Sequence, residues 1–334
     1  MEQKLKIYDV TLRDGNHALR HSLSPDFVKK YCQRASQSEL WAVEVGHGNG
    51  LGASSYLVGK ARFRDFELLE AAKSSLEFSK AKLAVHSIPG FATLKRDIIP
   101  ALGIGVDIFR VATHVTEASV AKNHIEFLAN HDIEVHGVLM MSHMIDLNGL
   151  VEQARLMKSY GAKAIILMDS AGNFIPSDVN ERIRALIQEV GINVGFHAHN
   201  NLGLAIANAD CALTAGAEIL DGASMGLGAG AGNAQLENLV AVRKRIGDPV
   251  DLTPFLALSN LVESSYPESL PRTTSASTAS GVAGVFSGYA PHVKQLSEEL
   301  GVEPLSLWQE LGKRKLVAGQ ESMIREVATD LMNL

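Results

Sequence analysis

The run Val194-Gly195-Phe196-His197-Ala198-His199-Asn200-Asn201 sets two histidines two positions apart. In an extended strand alternate side chains share a face, so His197 and His199 point one way and Phe196 and Ala198 the other. Two imidazoles one strand step apart can both reach a single metal ion. The run leads into Leu202–Ala209, which reads as a helix start, so the pair sits where a strand feeds a helix. A His-x-His by itself fits two histidines in a polar strand end equally well. The elements around it shift that balance.

Strand-like and helix-like segments alternate along the chain. The predicted strands are Lys6–Val10, Ala42–Val45, Lys82–His86, Ile108–Ala112, Glu134–Met140, Ala164–Met168, the histidine strand, and Glu218–Ser224. Between and after them lie predicted helices at Pro25–Gln37 (with Ser24 as N-cap), Asp65–Ser79, Thr93–Ala101, Glu117–Asn130, Leu147–Tyr160, Val179–Val190, Leu204–Ala215 and Gln235–Arg245. Eight strand–helix units within roughly 250 residues match a (β/α)8 TIM barrel in count and length. Their strands are apolar runs, as parallel strands covered on both faces should be. A doubly wound open sheet shows the same alternation, but the count of eight favours the barrel. After Gly247 the pattern becomes helical, at Asp251–Glu263, Pro291–Leu300, Pro304–Gly312 and Gln320–Leu331, with Thr273–Ser280 a Ser/Thr/Ala-rich loop. Residues 1–250 are therefore expected to form the catalytic barrel and residues 251–334 a small helical domain packed on it.

Polar residues fall where such a barrel uses them. Asp14, His47, His86, His114, His143, Asp169 and His199 all lie at or just after predicted strand ends, the rim that carries the chemistry of this architecture. His124, His131 and His292 read instead as helix-surface residues. Catalytic divalent sites join histidines to a carboxylate and keep positions open for water or substrate. Asp14 is the candidate, because strands one and seven are separated only by the eighth. Arg13 beside it suits developing negative charge on oxygen, and His17 suits proton transfer. The plainer roles are a turn aspartate and a salt bridge closing the barrel end. The glycine-rich run Gly226–Asn233 fits a phosphate cradle or a tight turn; with no Walker-type lysine behind it, it reads as close backbone packing with Asn233 pointing inward.

Composition narrows the class. Of 334 residues, 46% are hydrophobic and 20% charged, ordinary for a globular protein, and the net charge of −6 with no basic run argues against nucleic acid. No apolar run approaches the ~20 residues that span a bilayer, and the N-terminus lacks a signal-peptide core. Cys32 and Cys211 fall in predicted helices without metal-type spacing, and read as reduced thiols of a cytoplasmic protein.

Taken together, Tyr8-Asp9-Val10-Thr11-Leu12-Arg13-Asp14-Gly15-Asn16-His17, the His197–Asn200 run and the Gly226–Asn233 loop resemble the metal-dependent aldolase and acyltransferase barrels. That superfamily includes isopropylmalate synthase, hydroxymethylglutaryl-CoA lyase and the 4-hydroxy-2-oxovalerate aldolases. His17, where the Claisen synthases usually carry Gln, resembles the last group, as do Arg110–His114, Leu139–Met144 and Val317–Met323. The resemblance spans residues 6 to 332.

It implies a class II pyruvate aldolase that cleaves 4-hydroxy-2-oxo acids to pyruvate and an aldehyde, in the type case acetaldehyde, within aromatic hydrocarbon catabolism. Carried over motif by motif, Asp14, His197 and His199 would bind Mn2+ (or Mg2+). Arg13 would steady the enolate oxygen, His17 would act as base at the C4 hydroxyl, and the Ser170 backbone would help hold the carboxylate. The expected partner is an acylating aldehyde dehydrogenase, contacted largely through the helical C-terminal part. Two positions depart from the pattern. Phe286 stands where the family has a pocket Tyr in Gly-Val-Tyr-Ser, with Tyr289 one turn further on as a substitute if the segment is helical, and Ala318 stands where many members have Gly. Both put substrate shape and handedness in question more than the metal chemistry. Two rivals remain: a Claisen-type synthase or lyase using an acyl-CoA, which His17 and the lack of a CoA-binding insertion disfavour, and a scaffold subunit with weakened catalysis.

Overall fold

Eight short runs of aliphatic and β-branched residues form the strands of a closed parallel barrel. They are β1 (Lys6–Asp9), β2 (Ala42–Glu44), β3 (Lys82–Ser87), β4 (Ile108–His114), β5 (Glu134–Met140), β6 (Ala164–Asp169), β7 (Asn193–Ala198) and β8 (Ile219–Gly222). Each pairs with its sequence neighbour, and β8 closes on β1 with Lys6 opposite Ile219 and Asp9 opposite Gly222. The computed structural model describes residues 5–316 and 320–333. Ala318 thus lies outside the described residues, as does part of the Val317–Met323 motif.

The two-residue period of each strand sorts its side chains into two separate cores. Tyr8, Ala42, Ala84, Ile108, Ala112, Val138, Ala164, Ile166 and Ile219 fill the barrel interior. Their strand neighbours, among them Ile7, Val43, Leu83, Phe109, Leu167, Phe196 and Leu220, pack outward against the helices. Extending that parity toward the C-terminal ends puts Glu44, His86, Arg110, His114, His197 and Asp221 on the inner face. The polar rim is the interior column of the same strands, one step above the apolar plug.

The helices follow their local signals. Ser24 caps the helix Pro25–Ala35 by accepting from the Phe27 amide at 3.2 Å, with Pro25 at its first position. Cys32 and Cys211 are free thiols on the helices Pro25–Ala35 and Ala205–Thr214. The stretch predicted as one helix at Thr93–Ala101 is a π-helical turn, Leu94–Ile98, running into a short α-helix, Ile99–Ile104. His131 and His292 are exposed, whereas His124 corrects the surface reading: it is buried beneath its helix.

The segment Thr273–Ser280, expected to be a loop, is mostly helical. Its helix runs Ser275–Ala283, started by a capping box in which Ser277 N donates to Thr274 Oγ1 (3.2 Å) and Thr274 N to Ser277 Oγ (2.8 Å). Ser, Thr and Ala look irregular by composition, but here their small size lets the helix lie close on the barrel rim. A methyl at Gly281 would come within 2.9 Å of the Asn201 Cβ. Asn201 seals the contact, its Nδ2 lying within hydrogen-bond distance of Ser277 O (3.1 Å), Ser280 Oγ (2.9 Å) and Ser287 Oγ (2.6 Å). His143 Nε2 adds a bond to Gly284 O at 2.8 Å, and Asn173 donates to Gly281 O at 2.7 Å.

Two hydrophobic clusters bear on the division of the chain. The helix Thr253–Ser265 sends Phe255, Leu258 and Val262 into the core shared with the barrel helices. The later helices, Ala290–Leu300, Pro304–Lys313 and Glu321–Met332, close around a core of their own with Val285, Tyr289, Val293, Trp308 and Ile324. No helix among the described residues is long and apolar enough to cross a membrane.

Candidate active site

A cavity of about 230 Å3 opens at the C-terminal mouth of the barrel. Its walls include Arg13, Asp14, His17, His86, His114, Ser170, His199 and Phe286, together with apolar Leu57, Val58, Ile88, Phe91, Met140 and Met168.

Backbone geometry after β1 places the first three of these. The chain turns tightly, Asp14 N donating to Val10 O at 2.8 Å, and enters a single helical turn, Gly15–Ala18. Asn16 ties that turn to the β2 loop through Gly46 O (3.0 Å) and accepts from Leu23 N (3.2 Å). Arg13 and Asp14 are buried at the rim and His17 is half-buried.

On the opposite side of Asp14, β7 brings His197 and His199 onto the interior face with their Nε2 atoms 3.4 Å apart. The Asp14 Oδ2 atom lies 3.7 Å from His197 Nε2. One ligand atom from each of Asp14, His197 and His199 falls within 4.8 Å of the other two, and all three residues are buried. The donor set, two imidazole nitrogens and a carboxylate, is that of catalytic divalent sites. A second feature fits a cation: His197 Nδ1 is 2.8 Å from Asp221 Oδ2, so Nδ1–H donates to the carboxylate and the Nε2 lone pair faces the meeting point.

The glycine-rich run after β8 completes the frame. It folds back across β7, with Asn200 N donating to Gly232 O (2.8 Å) and Ala234 N to Ala198 O (3.0 Å). Asn233 points inward, as expected from sequence, and its Nδ2 donates to Asp14 Oδ1 (3.2 Å) and Leu227 O (2.7 Å). Gly228 is there because nothing larger fits: a Cβ would lie 2.3 Å from Asn233 Nδ2 and 2.9 Å from Asp14 Oδ1.

Beneath the site runs a buried chain of charges. Asp221 accepts from Arg110 Nη2 (2.7 Å), Arg110 Nη1 donates to Glu44 Oε2 (2.8 Å), and Glu44 accepts from Arg13 Nε. Arg13 Nη1 then donates to Asp14 Oδ2 (2.6 Å). The sequence reading missed Glu44, Arg110 and Asp221, although each lies on the interior parity of its strand, Glu44 at the end of β2, Asp221 next to the end of β8 and Arg110 within β4, which was the available signal. Arg13 Nη2 is buried without a partner. A guanidinium clamped on two sides with one amino group unpaired is set to meet an oxygen of a bound molecule.

The electrostatics follow from burial opposed by charge. Burial works against the Asp14 carboxylate, but Arg13, His199 and His197 outweigh it and hold the acid well below its usual range. Burial pushes His17 and His199 down to about 4 each, so both imidazoles are neutral near pH 7.

The remaining expected residues separate. Ser170 lines the cavity, its Oγ accepting from Met141 N at 2.9 Å. Phe286 lines the cavity as well. Tyr289 does not: it is buried in the C-terminal helical core, its ring 6.4 Å from that of Phe286. The reason is local, since Ser287–Tyr289 is a 3-10 turn that aims Tyr289 away from the barrel and into its own helices. Other rim residues are structural. His47 Nε2 bonds Gly59 O (3.0 Å), and Asp169 accepts from Asn173 N (2.9 Å) and Phe174 N (3.1 Å).

Comparison with known proteins places this geometry. Residues 4–262 match the HMGL-like family and residues 271–333 the DmpG-like communication domain. The 4-hydroxy-2-oxovalerate aldolase of Pectobacterium atrosepticum is 48% identical over 99% of this chain and 96% of its own length. That of Spirochaeta aurantia is 49% identical over 97% of this chain and 95% of its own. Among solved structures, the carboxyl transferase domain of Rhizobium etli pyruvate carboxylase superposes with a TM-score of 0.82 at 16% identity, over 99% of this chain and 61% of that one. At that identity the likeness is one of fold.

Proposed function

The chain belongs to the HMGL-like family and, within it, to the 4-hydroxy-2-oxovalerate aldolases, and from that premise we propose how it acts, on what and with whom. It is a carbon–carbon lyase whose substrate is a 4-hydroxy-2-oxo acid, cleaved between C3 and C4 to pyruvate and an aldehyde, acetaldehyde in the type case. The observation that carries this reading is the convergence of Asp14, His197 and His199 on one point, with Arg13 and His17 on the same cavity wall.

Asp14, His197 and His199 hold a divalent ion, Mn2+ or Mg2+, which when bound supplies Lewis-acid polarisation of the 2-oxo group. His17, kept neutral by its partial burial, takes the proton from the C4 hydroxyl as the C3–C4 bond breaks and the C4–O bond becomes a carbonyl. Electron density moves through C3 toward the C2 oxygen, and the unpartnered Arg13 Nη2 donates to that oxygen as its charge grows. The backbone at Ser170 helps fix the substrate carboxylate at the β6 end of the cavity. Phe286 closes the wall with a ring that makes no hydrogen bond.

The match to a communication domain supports a partner, an acylating aldehyde dehydrogenase that takes the aldehyde product, docked mainly on the C-terminal helices. Two unpaired cysteines far apart in sequence suit a cytoplasmic enzyme, and the reading extends to a role in the breakdown of aromatic compounds. We place the boundary between the two parts near residue 250, with the helix Thr253–Ser265 bridging them through its packing on the barrel core. The test is pyruvate release from 4-hydroxy-2-oxopentanoate, followed through a lactate dehydrogenase couple after chelation and after Mn2+ or Mg2+ is restored. Metal-dependent pyruvate formation is the expected result; none with either metal overturns the aldolase reading.

A further inference from the structure

His86 is a buried imidazole that the mechanism leaves unused. It lines the cavity, is 2% exposed, and its Nδ1 is buried with no hydrogen-bond partner. A buried imidazole nitrogen with no partner is disfavoured, and His86 stands in the wall of a cavity that a bound molecule would fill. His114 in the same wall is different, its Nδ1 lying 2.8 Å from Thr116 Oγ1 and its Nε2 3.3 Å from Met144 Sδ.

Topology says which part of the substrate His86 faces. The metal ligands come from β1 and β7, and Ser170 follows β6, so the 2-oxo acid end belongs on the β6–β7–β1 side. β3 lies four strands from β7 in either direction round the barrel, on the opposite wall. His17, beside Asp14, stands between the two sides at the C4 hydroxyl. The C4 substituent therefore extends toward β2 and β3, where Leu57, Val58, Ile88 and Phe91 are apolar and His86 is not. Burial pushes its imidazole down to about 3, so it meets substrate as a neutral donor or acceptor. A neutral imidazole suits a hydroxyl and gives no charge to balance a second carboxylate.

Building on the aldolase reading, we propose that His86 is a specificity-determining residue that selects 4-hydroxy-2-oxo acids whose C4 substituent carries a hydroxyl. The aldehyde released is then a hydroxyaldehyde. In an otherwise apolar wall, a site built to hydrogen-bond a substrate hydroxyl discriminates against the isostere lacking it, because the buried nitrogen is left unpaired.

The experiment compares kcat/KM for 4,5-dihydroxy-2-oxopentanoate and 4-hydroxy-2-oxohexanoate, which differ only in CH2OH against CH2CH3 at C4. Wild-type enzyme with Mn2+ is expected to favour the dihydroxy acid about tenfold. His86→Leu is expected to reverse that ratio, and His86→Gln, which keeps a donor and an acceptor, to hold it above one. Bound-metal content and circular dichroism of each variant report folding separately from specificity. A wild-type ratio at or below one overturns the proposal, as does a His86→Leu variant that slows both substrates equally. If 4-hydroxy-2-oxopentanoate is cleaved and the ratio is flat, the role of His86 alone falls. If no compound in the set yields pyruvate, the aldolase reading falls and this proposal with it.

Discussion

The Nδ1 of His197 lies 2.8 Å from Asp221 Oδ2, and that bond turns the other ring nitrogen, Nε2, toward Asp14 and His199. Asp221 comes from β8, is buried, and is itself held by Arg110 at 2.7 Å. Orientation of a ligand by a carboxylate behind it typically changes metal affinity 10–100-fold. Asp221→Ala, which removes the acceptor behind His197 Nδ1, is expected to weaken Mn2+ binding by about that factor. Titration calorimetry on folded variant checks it, and unchanged affinity removes Asp221 from the role.

His199→Ala takes away one of the three ligands proposed at the barrel rim while the apolar plug lies below. Aldol cleavage and stoichiometric metal are both expected to be lost, with the circular dichroism spectrum preserved. Retained metal stoichiometry in purified, folded protein would rule out the Asp14, His197 and His199 set.

Gly228→Ala tests the packing of the glycine-rich loop against the site. The new methyl meets Asn233 Nδ2 at 2.3 Å and Asp14 Oδ1 at 2.9 Å, so one of them must move. Because Asn233 positions Asp14, metal affinity is expected to fall by about tenfold or more even though no ligand is altered. A variant that binds Mn2+ as the wild type does shows that the loop can give way without disturbing Asp14.

Asp9 carries a pH signature away from the metal. Burial raises its carboxyl to about 6, against the donors Thr11 N (2.9 Å) and Tyr31 Oη (2.5 Å). The folded state thus binds a proton between about pH 4 and pH 6 that the unfolded chain does not, and this contribution to stability falls as pH rises through that window. Relative to Asp9→Asn, wild type is expected to gain about 2 kcal/mol on going from pH 6.5 to pH 4. Urea unfolding of both proteins across that range measures it, and a difference that is flat with pH, or grows as pH rises, contradicts the raised acid.

Phe286→Tyr restores a hydroxyl to a ring that already lines the cavity. One neutral hydrogen bond to substrate is worth ~0.5–1.5 kcal/mol, roughly up to tenfold in rate. The substitution is expected to sharpen the preference between C4 enantiomers, resolved by chiral chromatography of remaining substrate, with turnover changing by less than about tenfold. Turnover rising by orders of magnitude points instead to a chain whose catalysis had been silenced by Phe286.

The barrel was legible in the sequence because each strand is a short apolar run and each helix carries its own start and stop signals. Ser24 ahead of Pro25 and the eightfold alternation are local facts that packing had only to accept. His197 and His199 were legible for the same reason, since period two fixes a shared face before any tertiary contact forms. Asp14 was reachable from strand order, because closure of β8 on β1 leaves one strand between it and the histidines. Three things required the folded chain. The ladder Asp221–Arg110–Glu44–Arg13 joins residues as much as 111 positions apart across the barrel, and nothing local marks them as partners. Ser275–Ala283 is helical because small side chains let it press on Asn201 and the rim, a tertiary gain that outweighs the irregular look of Ser and Thr. Tyr289 misled because one turn of spacing does not fix direction: the 3-10 turn at Ser287–Tyr289 leaves Phe286 at the cavity and sends Tyr289 into the helical core. Sequence sets which faces exist; burial and closure decide what each face meets.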